Sequence, residues 1–86
     1  MSKFEKLMQK LLSGFSDRNM DFDELKSILS KLGFEERVKG SHHIYFKEGI
    51  DEIINLQPSN GKAKPYQVKQ VRELIIKYKL MSNERE

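Results

Sequence analysis

The sequence predicts an α+β domain in the order α-α-β-β-β-α: a three-stranded antiparallel sheet with its helices packed on one face. Three observations lead there. Apolar residues recur at helical spacing in three segments, near the start, over residues 21–33 and over residues 65–80. Between the second and third, the pattern changes to the period-two alternation of strands, rich in β-branched and aromatic residues. The connections within that stretch are only a few residues long, which antiparallel neighbours allow and parallel ones do not.

The first helix places Phe4, Leu7, Met8, Leu11 and Leu12 on one face, opened by Ser2 with Glu5 three residues on, a capping box. It is expected to end near Ser13-Gly14, and Ser16 to Asn19 reads as a polar linker. The second helix takes Asp21 as N-cap, Glu24 as the returning partner and Met20 as a staple on Leu25. Its buried stripe is Phe22, Leu25, Ile28, Leu29 and Leu32, and Gly33 supplies the left-handed residue that stops it. Strands are expected at 34–38, 41–46 and 50–56, turning at Lys39-Gly40 and at Lys47-Glu48-Gly49. A loop from Gln57 to Lys64 leads to Pro65, which suits the first turn of a last helix carrying Val68, Val71, Leu74, Ile75 and Tyr78. The predicted core is Leu25, Ile28, Leu29, Ile44, Phe46, Val71, Leu74 and Ile75; Ile44 and Phe46 on the helix side would set His42 at the rim of the core and His43 on the open face.

Eighty-six residues make one domain with one small core. No cysteine is present, so disulfides and thiolate metal sites are excluded. No apolar run approaches the roughly 20 residues that span a bilayer, and Met1 to Glu5 lacks the apolar stretch of a signal peptide. A cytoplasmic protein with no membrane partner is expected. The net charge of +3 conceals a gradient. Residues 62–80 hold Lys62, Lys64, Lys69, Arg72, Lys77 and Lys79 against Glu73 alone. Such a segment attracts polyanions, although a solvated helix face explains the charge as well.

Only two histidines exist, His42 and His43, directly after Gly40-Ser41. Histidine is the side chain whose ordinary pKa suits proton transfer near neutrality. Taken alone, the pair reads as a sheet-edge filler and a solvated strand residue. Alternation sends the two to opposite faces of a strand, so they cannot share a metal ion, and no HxxH or HxxxH spacing occurs. No nucleophile elbow, GxGxxG or GxxxxGK[ST] loop is found, and no cofactor is expected. Tyr45, Phe46, Tyr66 and Tyr78 could stack on bases, with Phe46 and Tyr78 read as core.

Leu32-Gly33-Phe34, followed by Gly40-Ser41-His42-His43-Ile44-Tyr45, the turn at Gly49, the Pro58 to Gly61 loop and a final basic helix, resembles the HicA-type mRNA interferase toxins over residues 22–80. The resemblance implies a double-stranded-RNA-binding-domain-like fold, metal-independent cleavage of mRNA, and an antitoxin of the HicB type that holds the toxin inactive. The family's functional histidine follows the Gly-Ser pair, a position occupied here by His42. Neutral His42 would take the proton of a ribose 2′-OH. Lys39, Ser41, His43, Lys62, Lys64 and Lys69 are the candidate RNA contacts. Many relatives carry Pro-x-His-Gly in the loop where this chain reads Pro58-Ser59-Asn60-Gly61. If that histidine contributes to catalysis, cleavage here would be weak. Residues 1–20 extend beyond the usual toxin start and are read as an added helix and linker, as extra core, a dimer contact or an antitoxin handle. Residues 21–80 are read as the RNA-cleaving domain and 81–86 as a disordered tail. The alternatives are an RNA-binding domain of the same fold without chemistry, and a protein-interaction domain whose basic face meets an acidic partner.

Overall fold

Capping decides where the helices begin. In the computed structural model, which describes residues 2–80, helix α1 (Lys3–Ser13) starts at Ser2. The Ser2 hydroxyl accepts from the Glu5 N–H at 3.0 Å, and the Glu5 carboxylate accepts from the Ser2 N–H at 3.1 Å. Helix α2 (Phe22–Lys31) starts at Asp21, whose N–H donates to Glu24 Oε1 at 3.0 Å. Helix α3 (Pro65–Tyr78) has Pro65 in its first turn, where the missing N–H costs nothing. Gly14 (φ 77°) and Gly33 (φ 95°) take the left-handed conformation after α1 and α2.

Between α2 and α3 lie β1 (Glu35–Lys39), β2 (His42–Lys47) and β3 (Ile50–Leu56). They form one sheet in the order β1-β2-β3, both pairs antiparallel. The α+β class and element order are those expected, with β1 and β2 displaced by one residue. The expected tail at 81–86 lies outside the described residues. Residues 16–19, expected as a plain linker, contain a 3-10 turn at Asp17–Asn19.

One core joins all the helices to one face of the sheet. Leu11, Met20, Leu25, Ile28, Leu29, Ile54, Leu56, Val68 and Val71 are fully buried in it. Each buried aliphatic side chain of this size contributes roughly 1.5–3 kcal/mol. Phe4, Leu7, Met8 and Leu11 of α1 belong to the same cluster, so the added helix supplies core. Arg72 fastens it: the guanidinium donates to the Leu11 carbonyl at 3.1 Å and, through two nitrogens, to both carboxylate oxygens of Asp17 at 2.8 and 3.0 Å.

The expected faces of β2 are reversed. Tyr45 is only 2% exposed and stands in the core, paired across the strands with Glu36 and Ile54. Ile44 and Phe46 are half-buried and belong to the other face, which none of the described helices covers. Both faces of His-His-Ile-Tyr-Phe-Lys offer apolar side chains, so alternation alone does not choose between them. Tyr45 enters because its hydroxyl has a partner there: it donates to Glu36 Oε2 at 2.6 Å. Tyr45 therefore cannot offer its ring to a base, and Phe46 is not core. Tyr78 packs against the core as expected, while Tyr66 is exposed.

Candidate functional site

Gly40, at φ 62°, occupies the first central position of the two-residue turn between the paired residues Lys39 and His42. Glycine enters that conformation without a Cβ penalty, and the turn delivers both histidines to the start of β2. The turn is tied to the end of β3, since Gln57 Nε2 donates to Ser41 Oγ at 3.1 Å. Lys39, Ser41, His42, Asn55 and Gln57 thus gather at one end of the sheet.

The two histidines diverge there, in the opposite sense to that expected. His42 is exposed on the open face, with Nδ1 3.1 Å from Asn55 Oδ1. When Nδ1 donates that bond, Nε2 keeps its lone pair, and it has no hydrogen-bond partner among the described residues. His43 turns to the helix side. Its ring meets the Phe22 ring edge-on at 4.8 Å, and its Nδ1 lies 2.9 Å from Glu36 Oε2.

Glu36 is the hub of this inner cluster. Hydrogen bonds from Tyr45, and then from His43, hold its carboxyl below the ordinary carboxylate range, and Lys26 stands 3.8 Å away. Burial, reinforced by Glu36, pushes the Tyr45 phenol far above its usual range, so it remains a hydrogen-bond donor. Tyr45 and Glu36 line a cleft of about 500 Å³ between α2 and β1, with Lys26 and Ser27 on its helical wall. Sequence reading missed Glu36, Asn55 and Phe22 as partners of the histidines; strand register is what brings them together, and alternation of period two does not reveal register.

The predicted cations separate. Lys62 is held by Asp21 at 2.8 Å, which lowers the Asp21 pKa and raises that of Lys62 through the same hydrogen bond. Arg72 and Lys77 are also engaged, with Asp17 and Glu52. Lys64 and Lys69 form no ion pair among the described residues; Lys64 is the N-cap of α3 and Lys69 an exposed residue in its second turn. Lys39 is exposed beside His42. The basic segment is therefore less free than its +5 suggests.

Ser59 and Lys62 exchange backbone hydrogen bonds of 2.9 and 3.0 Å around Asn60 (φ 54°) and Gly61 (φ 78°). Positive φ at both central residues defines the mirror-image turn that favours Asn-Gly. The Gly61 carbonyl accepts from the Phe22 N–H at 3.0 Å, which docks this loop against the start of α2. Among the described residues, no three His, Asp or Glu side chains are grouped to hold a metal ion, and no helix is long and apolar enough to cross a membrane.

No curated protein and no solved structure matches the chain. Over residues 22–77, from the first residue of α2 almost to the end of α3, the sequence matches the family described as HicA toxin of bacterial toxin-antitoxin. This match spans both histidines, the Glu36 hub and the Asn60-Gly61 turn, and leaves α1 outside. The chain belongs to the HicA toxin family, and is the toxin component of a bacterial toxin–antitoxin system.

Proposed function

We propose that this toxin is an endoribonuclease that cuts mRNA in the cytoplasm, with His42 as general base. The observation that supports this reading is the His42 imidazole itself: exposed at the start of β2, with Nδ1 engaged by Asn55 and Nε2 without a partner among the described residues. Nε2 takes the proton of a ribose 2′-OH, and the oxygen attacks the adjacent phosphorus in line. The bond to the 5′-oxygen breaks, and that oxygen takes its proton from solvent at the uncovered face. The products carry a 2′,3′-cyclic phosphate and a 5′-hydroxyl. General base help of this kind is typically worth about 10²–10⁴-fold. Lys39, paired with His42 across the strands, would balance phosphate charge beside it, and Lys64 and Lys69 are candidates for contacts farther along the RNA. The strand order between two flanking helices agrees with a double-stranded-RNA-binding-domain-like architecture. An antitoxin of the HicB type is the proposed inhibitor.

A second reading makes His43 the base. A specific observation favours it: a carboxylate, Glu36, orients its ring, as catalytic imidazoles often require, and its neighbour Phe22 is bonded to the loop that carries Asn60. His42→Ala and His43→Ala separate the readings. The first proposal expects His42→Ala to lose cleavage by about 10²-fold or more, in chelator as well as without it, with folding intact and His43→Ala much less affected. The opposite ranking would transfer the role to His43. A 2′-deoxy residue at the cleaved position should block cleavage but not binding. Binding without any cleavage by the unaltered protein would leave an RNA-binding domain without chemistry.

A further inference from the structure

The uncovered face of the sheet carries a set of side chains that the helices do not explain. Alternation and register place Arg37 and Lys39 of β1, His42, Ile44 and Phe46 of β2, and Ile53 and Asn55 of β3 on it. The helices pack on the other face, so this surface is unpartnered among the described residues. Ile44 and Phe46 are only half-buried, and Ile53 is 63% exposed. The Arg37 guanidinium stands over the Phe46 ring at 5.7 Å from its centroid. An aromatic ring and a guanidinium plane are the two protein surfaces on which unpaired bases stack.

Charge is ordered along this face. Arg37 and Lys39 lie toward the His42 end, whereas Glu35, paired with Phe46, and Asp51 mark the other end. A polyanion crossing the sheet therefore has its phosphates drawn toward His42, with its bases over Phe46, Ile44 and Ile53. From His42 to Phe46, four strand steps at about 3.4 Å span roughly 14 Å, enough for more than one base. Duplex RNA does not fit this surface, because its bases are already stacked and it is recognised by groove shape and the 2′-hydroxyls.

We infer that the open sheet face, centred on Phe46 and Arg37, is a stacking platform for single-stranded RNA that feeds the strand to His42. The inference deepens the ribonuclease reading and rests on RNA being the substrate. It makes the toxin selective for unpaired segments of a message.

The chain contains no tryptophan, so Phe46→Trp installs a single tryptophan on the platform, which can be excited apart from the tyrosines. The probe is a short single-stranded oligoribonucleotide of mixed sequence with 2′-O-methyl riboses, which cannot be cleaved. Its addition should quench the Phe46→Trp emission, and a duplex of the same sequence should not. Phe46→Ala should weaken binding of the single strand by about tenfold, Arg37→Ala should weaken it too, and Phe46→Trp should retain it. Far-UV circular dichroism on each variant controls for folding, which a half-exposed side chain should leave intact. Unchanged affinity in Phe46→Ala and Arg37→Ala, or equal quenching by duplex, would overturn the platform. So would an emission that ignores RNA and responds only to the antitoxin, since the face would then belong to a protein. The two ideas fail separately: a wild type that cuts RNA with Phe46 irrelevant loses only the platform, and one that stacks RNA on Phe46 but cuts none loses only the nuclease.

Discussion

Asn60 illustrates how the identity of a loop residue can answer to backbone geometry. It sits at φ 54° in a turn whose next residue, Gly61, is also left-handed. Asparagine enters this region more readily than most residues, and histidine shares part of that tolerance. Asn60→His is therefore expected to fold, with a loss of about 1 kcal/mol or less, whereas Asn60→Val should lose about 1–2 kcal/mol; thermal unfolding of the two variants checks this. If the loop position serves the chemistry, Asn60→His should also raise RNA cleavage. The Asn-Gly pair is itself a turn signal, although Gln57 to Lys64 reads in the sequence only as a loop. The partners of the histidines were not readable there. His42 meets Asn55, and His43 meets Glu36, across sequence separations that only strand register sets.

At the scale of elements, legibility divides helices from strands. Ser2/Glu5 and Asp21/Glu24 mark two helix starts, Pro65 the third, and the stripes they open are buried almost residue for residue. Capping acts locally, within a few residues, so the sequence displays it. The choice of face in β2 depends instead on Glu36 standing opposite Tyr45. Mutations should expose that choice. Tyr45→Ala should destabilise the protein by about 3–5 kcal/mol, while Phe46→Ala should cost about 1 kcal/mol. Denaturant titration ranks them, and the reverse order would put Phe46 in the core. The same measurement tests α1, which the family match does not include. Leu11, fully buried, should cost about 2–5 kcal/mol as Leu11→Ala. Arg72→Ala should cost about 1–3 kcal/mol because its bonds to Asp17 are only partly screened. A double-mutant cycle with Asp17→Ala should return a coupling of about 0.5 kcal/mol or more. Additive effects would mean that the clasp contributes little.

Across the whole molecule, carboxylates add polar links between elements that the core and the sheet already join. Glu24 meets Lys10 between α2 and α1, Asp17 meets Arg72 between the 3-10 turn and α3, and Asp21 meets Lys62 between α2 and the loop. Glu36 links β1 to β2, and Glu52 accepts from Lys77 at 2.7 Å and from Tyr78 at 2.6 Å, joining β3 to α3. Hydrogen bonds from Lys77 and then Tyr78 bring the Glu52 pKa down to about 2, and Asp21 and Glu36 are lowered as well. The sign follows from linkage. A carboxyl whose folded pKa lies below its unfolded value, near 4 for these groups, binds protons more readily when unfolded. Its contribution is fully present above that unfolded value and is lost as pH falls through the folded one. Stability toward urea should therefore hold nearly level from about pH 8 to pH 5 and decline between about pH 4.5 and pH 2. Glu52→Gln removes the most strongly shifted of these groups, so the decline should be shallower and should end at a higher pH. Since the Glu52 side chain is 38% exposed, salt should reduce the difference between wild type and variant at neutral pH. The measurement is a set of urea midpoints against pH for both proteins. Parallel curves would show that Glu52 keeps an ordinary pKa in the folded state, and that the link between β3 and α3 rests on packing around Tyr78 instead.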